Sequence, residues 1–223
     1  SLPVILSDEG IDAWALDLRG HGTAMNKADG TPQRHGWTVD DYGQHDLHAA
    51  IQHIQAQTGH EKVAIVGHSM GGMVVAAYHA EHGDDDISAL VVVGSPLVFD
   101  QKTVVNRFKK MGASLGQMWG SFNTQKIARA AASTIPFPGE GLLYTRSNIT
   151  PQMRRMMLSQ VASPLSREEL AHFKVILKAG RFVSADGSED YLNSLTSLDV
   201  PLLVIAGEND RVAPPDSVEA WTT

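Results

Sequence analysis

Residues 63–72 read VAIVGHSMGG and pass from a β-branched apolar run into a sharp, glycine-containing turn. Residues 73–78 continue as MVVAAY, an apolar sequence that can form a helix. The pattern predicts a strand, a tight turn and a helix, with Ser69 at the turn. Gly67 and Gly71, two residues before and two after the serine, are expected to let the strand and the helix approach without clashes between β-carbons. The Ser69 hydroxyl is then held above the end of the strand on a strained backbone, where it is accessible instead of being buried in the core.

This segment resembles the nucleophile elbow of the α/β-hydrolase family. The pattern G-x-S-x-G alone also arises by chance, but here both flanking segments that an elbow needs are present. The resemblance implies a mostly parallel sheet with helices on both faces, Ser69 as the catalytic nucleophile, and the backbone N–H of Met70 as one donor of the oxyanion hole. A serine at this position favours acyl transfer through an acyl-enzyme, for which the family requires no metal or organic cofactor.

The composition indicates a globular chain that is large enough to bury a core. The chain has 223 residues, of which 43% are hydrophobic, and it has no cysteine and a net charge of −7. This acidic balance, without a basic stripe that includes aromatic residues, disfavours nucleic acid as a partner. No apolar run reaches the roughly 18 residues that a transmembrane helix needs. The lack of cysteine excludes disulfides and a cysteine nucleophile, and we expect a cytoplasmic protein.

Apolar patterns on either side of the elbow predict further elements of an α/β sheet. Strands that alternate with helices along a chain form parallel sheets with crossover connections. Three histidines of the predicted helix that precedes the elbow, His45, His48 and His53, are expected to be solvated side chains rather than metal ligands. The other predicted elements are, in chain order, a helix at residues 2–6, a buried strand at 11–18, a helix at 38–58, and strands at 89–94 and 201–207.

The region between the last two predicted strands has helical rather than strand periodicity. Pro151 and the capping box of Ser166 and Glu169 each predict the start of a helix, and Gly180 predicts the end of the second. Family members often carry a helical cap at this place in the chain. Methionines and aromatic residues of this region fit either an acyl pocket or ordinary helix packing. We therefore predict hydrolase core at residues 1–97, a cap or lid at residues 98–197, and the second part of the core at residues 198–223.

Asp210 is the predicted catalytic acid. It lies in GENDRVAPP, directly after the strand at residues 201–207, and this loop resembles the acid loop of the family. Parallel strands end at one edge of the sheet, so Asp210 is expected to share that edge with Ser69. Glu208 is the second candidate for the acid. His21 lies in a His-Gly loop common in the family and is expected to be structural, because the family order is serine, acid, histidine.

None of the ten histidines follows Asp210 in the sequence. We therefore expect the sequence to be a piece of a longer protein, truncated at both ends. The catalytic histidine would follow it, and the second donor of the oxyanion hole would precede it.

The resemblance implies a serine esterase or lipase that acts on a small-molecule ester or acyl substrate. Asp46-Leu47, residues 58–62, which read TGHEK, and the elbow are similar to lipase-like members of the family. Acyltransferases, thioesterases and perhydrolases use the same constellation of groups. A degenerate hydrolase that binds a ligand without turnover is a further alternative, and the sequence does not separate these activities or predict an oligomeric state.

Overall fold

The computed structural model describes residues 2–25, 36–100, 144–160 and 166–222. The strands are β1 (Val63–His68), β2 (Ile87–Val93) and β3 (Leu202–Ile205). The helices are α1 (Leu2–Asp8), α2 (Val39–Asp41), α3 (His48–Thr58), α4 (Met70–His82), α5 (Pro151–Gln160), α6 (Arg167–Ala179), α7 (Tyr191–Ser194) and α8 (Pro215–Glu219). A π-helical turn, Tyr42–Leu47, joins α2 to α3.

The three strands form one parallel sheet in the order β1-β2-β3. In its register, Val66 lies opposite Val91, which in turn lies opposite Leu203. Helix α4 follows β1 and leads back to β2, as expected for a crossover connection between parallel strands. The predicted parallel sheet with helices packed on it is confirmed.

The two faces of the sheet differ in burial. On one face, Leu90 and Val92 are fully buried and pack in the same core as α4. On the opposite face, Val66, Leu203 and Ile205 are exposed to 46%, 54% and 44%. Because side chains alternate between the faces of a strand, the parallel register collects these apolar residues on one surface.

Helix α4 is the centre of the core. Its residues from Gly72 to His79 are buried, as expected for a helix that is apolar on all sides. The π-helical turn packs closely against it at Gly43, where an added β-carbon would lie 2.6 Å from the carbonyl oxygen of Val74. The elbow helix is therefore enclosed between the sheet and the helical segment that precedes β1.

The predicted strand at residues 11–18 is wrong. These residues form no strand, and Ile11, Trp14 and Leu16 are exposed to 52%, 46% and 46%. A strand needs a partner for its backbone N–H and C=O groups, and the described part of the chain offers none beside this segment. The segment is instead tied to the core at its end, where Arg19 pairs with Asp46 at 2.7 Å.

The region between β2 and β3 contains helices where its described residues were predicted to be helical. Helix α5 begins at Pro151. Helix α6 begins directly after Ser166, the N-cap of the capping box with Glu169, and is capped at its end by Gly180, whose φ is 74°. In the described residues of this region, strand pairing is limited to two isolated bridges, of which one joins Val98 to Arg181. Residues 101–143, which make up less than half of the predicted cap, lie outside the described residues.

Candidate active site

The backbone at Ser69 has the strained conformation that the elbow pattern predicts. Ser69 follows β1 and precedes α4, with φ 53° and ψ −120°, and it has the only positive φ among the described non-glycine residues. Such a conformation costs of order 1–3 kcal/mol and persists only where surrounding contacts enforce it. One of these contacts is the bond from the Ser69 N–H to the carbonyl oxygen of Val93 at 2.9 Å. The turn therefore holds the serine at the end of β1, at the edge of the sheet.

The close approach of strand and helix depends on Gly67 and Gly72. A β-carbon on Gly67 would lie 2.8 Å from the Cα of Gly72, and one on Gly72 would collide with the Ser95 hydroxyl. A β-carbon on Gly71, by contrast, would meet no atom within 4 Å. The prediction for Gly67 is confirmed, but the same role predicted for Gly71 is wrong. The second glycine of the pair, Gly72, is the residue that allows the close approach, and the sequence-based prediction assigned this role to Gly71 instead.

The backbone N–H of Met70 lies at the N-terminus of a helix of 13 residues. The first N–H groups of a helix have no acceptor within it, and the helix dipole places partial positive charge at this end. An N–H directly after the serine is thus available to a negative oxygen that forms at Ser69. This placement agrees with the predicted role of Met70 as an oxyanion donor, which stays a prediction.

Asp210 lies in the loop that follows β3, and its carboxylate is fixed by that loop. Its Oδ1 accepts hydrogen bonds from the N–H groups of Val212 at 2.8 Å and Ala213 at 2.9 Å. Its Oδ2 lies beside Gly94, 3.5 Å from the position that a β-carbon of Gly94 would occupy. The carboxylate is therefore oriented towards the end of β2. Glu208, the second candidate, is exposed.

Ser69 and Asp210 lie at the same edge of the sheet, as the sequence predicts, but they are not adjacent. Ser69 follows β1 and Asp210 follows β3, with the end of β2 between them. Adjacent strands lie about 5 Å apart, so residues that follow β1 and β3 are separated by about 10 Å. This separation leaves room for a side chain that bridges Ser69 and Asp210. In residues 2–25, 36–100, 144–160 and 166–222, no histidine nitrogen forms a hydrogen bond with either residue.

Several of the described histidines have structural contacts instead. Nδ1 of His21 lies 3.1 Å from the carbonyl oxygen of Arg19, in agreement with a structural role. His48 is not a solvated side chain as predicted, because its ring stacks on that of His82 with centroids 4.0 Å apart. The described residues contain no group of three or more side chains suited to a metal ion. Within the same ranges, no helix is both long and apolar enough to cross a membrane.

Comparison with known proteins identifies the family. A model of the α/β hydrolase fold matches residues 2–223, which is nearly the whole chain. The chain therefore belongs to the α/β-hydrolase family, as the elbow pattern predicts.

Within the family, the similar proteins include lipases and esterases. Lipase 1 of Drosophila melanogaster is 24% identical over 252 aligned residues, which cover 99% of this chain and 56% of the lipase. Gastric triacylglycerol lipase of Bos taurus is 22% identical, over 98% of this chain and 64% of the lipase. The chain thus spans somewhat more than half the length of these two relatives. The crystal structure of the esterase RhEst1 from Rhodococcus sp. ECU1013 matches with a TM-score of 0.53 and 20% identity, over 98% of this chain and 70% of the esterase.

Proposed function

We propose that this chain carries the nucleophile and the acid of a serine hydrolase that cleaves carboxylic esters. The observation that carries the proposal is the positive φ of Ser69 between a parallel strand and a buried helix. Such strain costs free energy at a residue whose side chain forms no capping hydrogen bond with α4, and strained serines of this kind are nucleophiles in acyl-transfer enzymes. Lipases and esterases among the similar proteins support an ester as the substrate.

The proposed reaction passes through a covalent acyl-enzyme. The Ser69 Oγ attacks the ester carbonyl carbon while its proton passes to a histidine base, and the Met70 N–H stabilises the oxyanion that forms. Collapse of the tetrahedral species expels the alcohol, which takes the proton from the histidine. Water then attacks the acyl-enzyme by the same route and releases the carboxylic acid. Asp210 orients the imidazole and stabilises its cation while it holds the proton.

Residues 98–197 are proposed to form a cap inserted into the hydrolase core. Two contacts hold the start of this segment beside residues 180–182, so residues 100–179 leave and return at neighbouring points. The Phe99 N–H donates to the carbonyl oxygen of Gly180 at 2.8 Å, and the Phe182 N–H donates to that of Leu97 at 2.7 Å. An insertion closed in this way leaves the strand order of the sheet intact.

The test is hydrolysis of p-nitrophenyl esters from acetate to palmitate by the intact gene product. We expect Ser69→Ala to lower kcat by about 10⁶, the typical loss for a triad nucleophile. Ser88→Ala is the matched control, because Ser88 is an exposed serine on β2. Activity that survives in Ser69→Ala would contradict the proposal. If the wild-type protein is acylated at Ser69 but passes the acyl group to an alcohol or thiol faster than to water, it would instead be an acyltransferase.

A further inference from the structure

The end of β2 lies between the two proposed catalytic residues and forms backbone hydrogen bonds with Ser69 on one side and with the end of β3 on the other. The carbonyl oxygen of Val93 accepts the N–H of Ser69 at 2.9 Å. The N–H of Gly94 donates to the carbonyl oxygen of Ile205, at the end of β3, at 2.8 Å. This C=O and this N–H belong to the same planar peptide group and point in opposite directions. One rigid peptide unit therefore joins the nucleophile to the strand that carries the acid.

Gly94 is conformationally distinct within this unit. Its φ is +54°, a left-handed conformation that side chains other than glycine seldom adopt. Gly94 directly follows β2 and lies beside the second carboxylate oxygen of Asp210, since a β-carbon here would lie 3.5 Å from Oδ2. That distance is ordinary van der Waals contact, so the missing side chain leaves the carboxylate unobstructed on this side.

Ser95 continues this connection towards the elbow helix. It is fully buried, and its side chain packs against Gly72 in the first turn of α4. Its carbonyl oxygen accepts the indole N–H of Trp221 at 3.0 Å, which fixes the backbone after the turn at Gly94. The Ser95 hydroxyl has no hydrogen-bond partner among the described residues, so packing rather than a polar contact holds the side chain in place. A shift of residues 94–95 would therefore move the helix that begins after Ser69.

We propose that Val93, Gly94 and Ser95 form a positioning bridge that sets the distance and orientation between Ser69 and Asp210. Gly94 is the positioning residue at its centre, because its backbone N–H donates to the last residue of β3, Ile205, and its lack of a side chain leaves space beside the Asp210 carboxylate. The inference rests on the proposed function, since the bridge matters to the reaction only if both residues act in it.

The test compares Gly94→Ala with Gly187→Ala in the intact gene product. Gly187 has a φ of +76°, and a β-carbon there would lie 3.8 Å from Val175, so the two variants introduce similar backbone strain in similar free space. Gly187 lies in the loop between Phe182 and α7, outside the segments that carry Ser69, Gly94 and Asp210. The readouts are kcat and KM for a p-nitrophenyl ester, the rate at which a fluorophosphonate modifies Ser69, and Tm.

We expect Gly94→Ala to lower kcat and the modification rate by about tenfold to hundredfold, with KM within about twofold of wild type, because displaced catalytic groups lose rate at this scale. Gly187→Ala should lose a similar amount of Tm and keep wild-type rates. If Gly94→Ala does not fold, Gly94→Asn carries the same comparison, since asparagine tolerates positive φ better. If the Gly94 and Gly187 variants have equal kcat and equal modification rates, and Ser69 of the wild type reacts, the proposed bridge is overturned but the proposed function is not. A wild type in which Ser69 does not react would overturn the proposed function, and the bridge with it.

Discussion

At the scale of single residues, the conformation of Ser69 follows from a few close contacts. The pattern G-x-S-x-G predicts where the turn lies, and the structure has Ser69 at φ 53° in that place. The pattern does not reveal which glycines the turn needs, because that depends on atoms brought there from β2. Gly72 faces Ser95, 23 residues later in the chain, whereas Gly71 faces open space. Local sequence therefore predicted the position of the strained turn but not the whole packing of the elbow.

This difference predicts opposite outcomes for two adjacent alanine substitutions. Gly71→Ala should fold with unchanged or slightly raised Tm, because alanine is favoured over glycine within helices by up to about 1 kcal/mol. Gly72→Ala should lower the free energy of unfolding by about 1–3 kcal/mol, because its methyl group overpacks the contact with Ser95. Urea unfolding of both variants measures the contrast. Equal losses would show that the described contact at Gly72 does not limit the approach of strand and helix.

His79 predicts a dependence of stability on pH. It is buried in α4, and burial lowers its pKa below the ordinary value of 6.5, although Asp84 opposes the shift. The unfolded chain then binds the proton at a higher pH than the folded chain does. The stabilisation is therefore complete above about pH 6.5, the unfolded value, and is lost as the pH falls towards the folded pKa.

The variant His79→Gln removes this titration. Between pH 8 and pH 5, the urea midpoint of the wild type should fall more steeply than that of His79→Gln. The other histidines contribute equally to both proteins, so the difference isolates position 79. Parallel curves would mean that the pKa of His79 is the same in the folded and unfolded chains.

At the scale of elements, buried polar contacts dock helix α6 onto the segment that precedes α3. The Oε1 of Glu169 accepts the hydroxyl of Tyr42 at 2.7 Å, and that hydroxyl accepts the indole N–H of Trp37 at 2.9 Å. Burial, and then the bond to Glu169, raise the pKa of Tyr42, so its hydroxyl stays protonated and keeps donating. Nδ1 of His172 accepts the N–H of Val39 at 3.3 Å, which adds a second contact between the same elements.

These contacts show how far sequence reasoning reaches at this scale. The capping box predicted that Glu169 bonds to the backbone of Ser166, and the bond is present at 2.5 Å. The second oxygen of Glu169 reaches Tyr42, which is 127 residues away. No local pattern contains that partner. The prediction of a strand at residues 11–18 failed for a related reason, since apolar periodicity does not tell whether a neighbouring strand is there to pair with.

The pair of Tyr42 and Glu169 should show strong coupling between its members. Tyr42→Phe removes the hydroxyl that donates to the buried Glu169 carboxylate, and we expect a loss of about 1–3 kcal/mol in the free energy of unfolding. Glu169→Gln weakens the same contact, so the double variant should lose less than the sum of the two single variants. A double-mutant cycle by urea unfolding measures this coupling. Additive losses would contradict a direct contact between the two side chains.

At the scale of the whole molecule, three parallel strands and the buried helix α4 place Ser69 and Asp210 at one edge of the sheet. The order of predicted elements and the elbow pattern were sufficient to predict this arrangement and the family, which the match over residues 2–223 confirms. They were not sufficient to predict the uneven burial of the sheet. Its strands are apolar on both faces, as in sheets covered on both sides, yet Val66 and Leu203 are exposed. The apolar composition of the strands shows that either face of the sheet could pack against other elements. Whether a face is in fact buried depends on the rest of the fold.

The central claim is that the strained turn makes Ser69 a nucleophile, and covalent modification tests it most directly. The intact gene product would be treated with a fluorophosphonate probe, digested, and mapped by mass spectrometry, beside Ser69→Ala and the control Ser88→Ala. We predict one adduct, on the peptide that contains Ser69, which persists in Ser88→Ala and disappears in Ser69→Ala. No adduct in the wild type, or an adduct that persists in Ser69→Ala, would contradict the account.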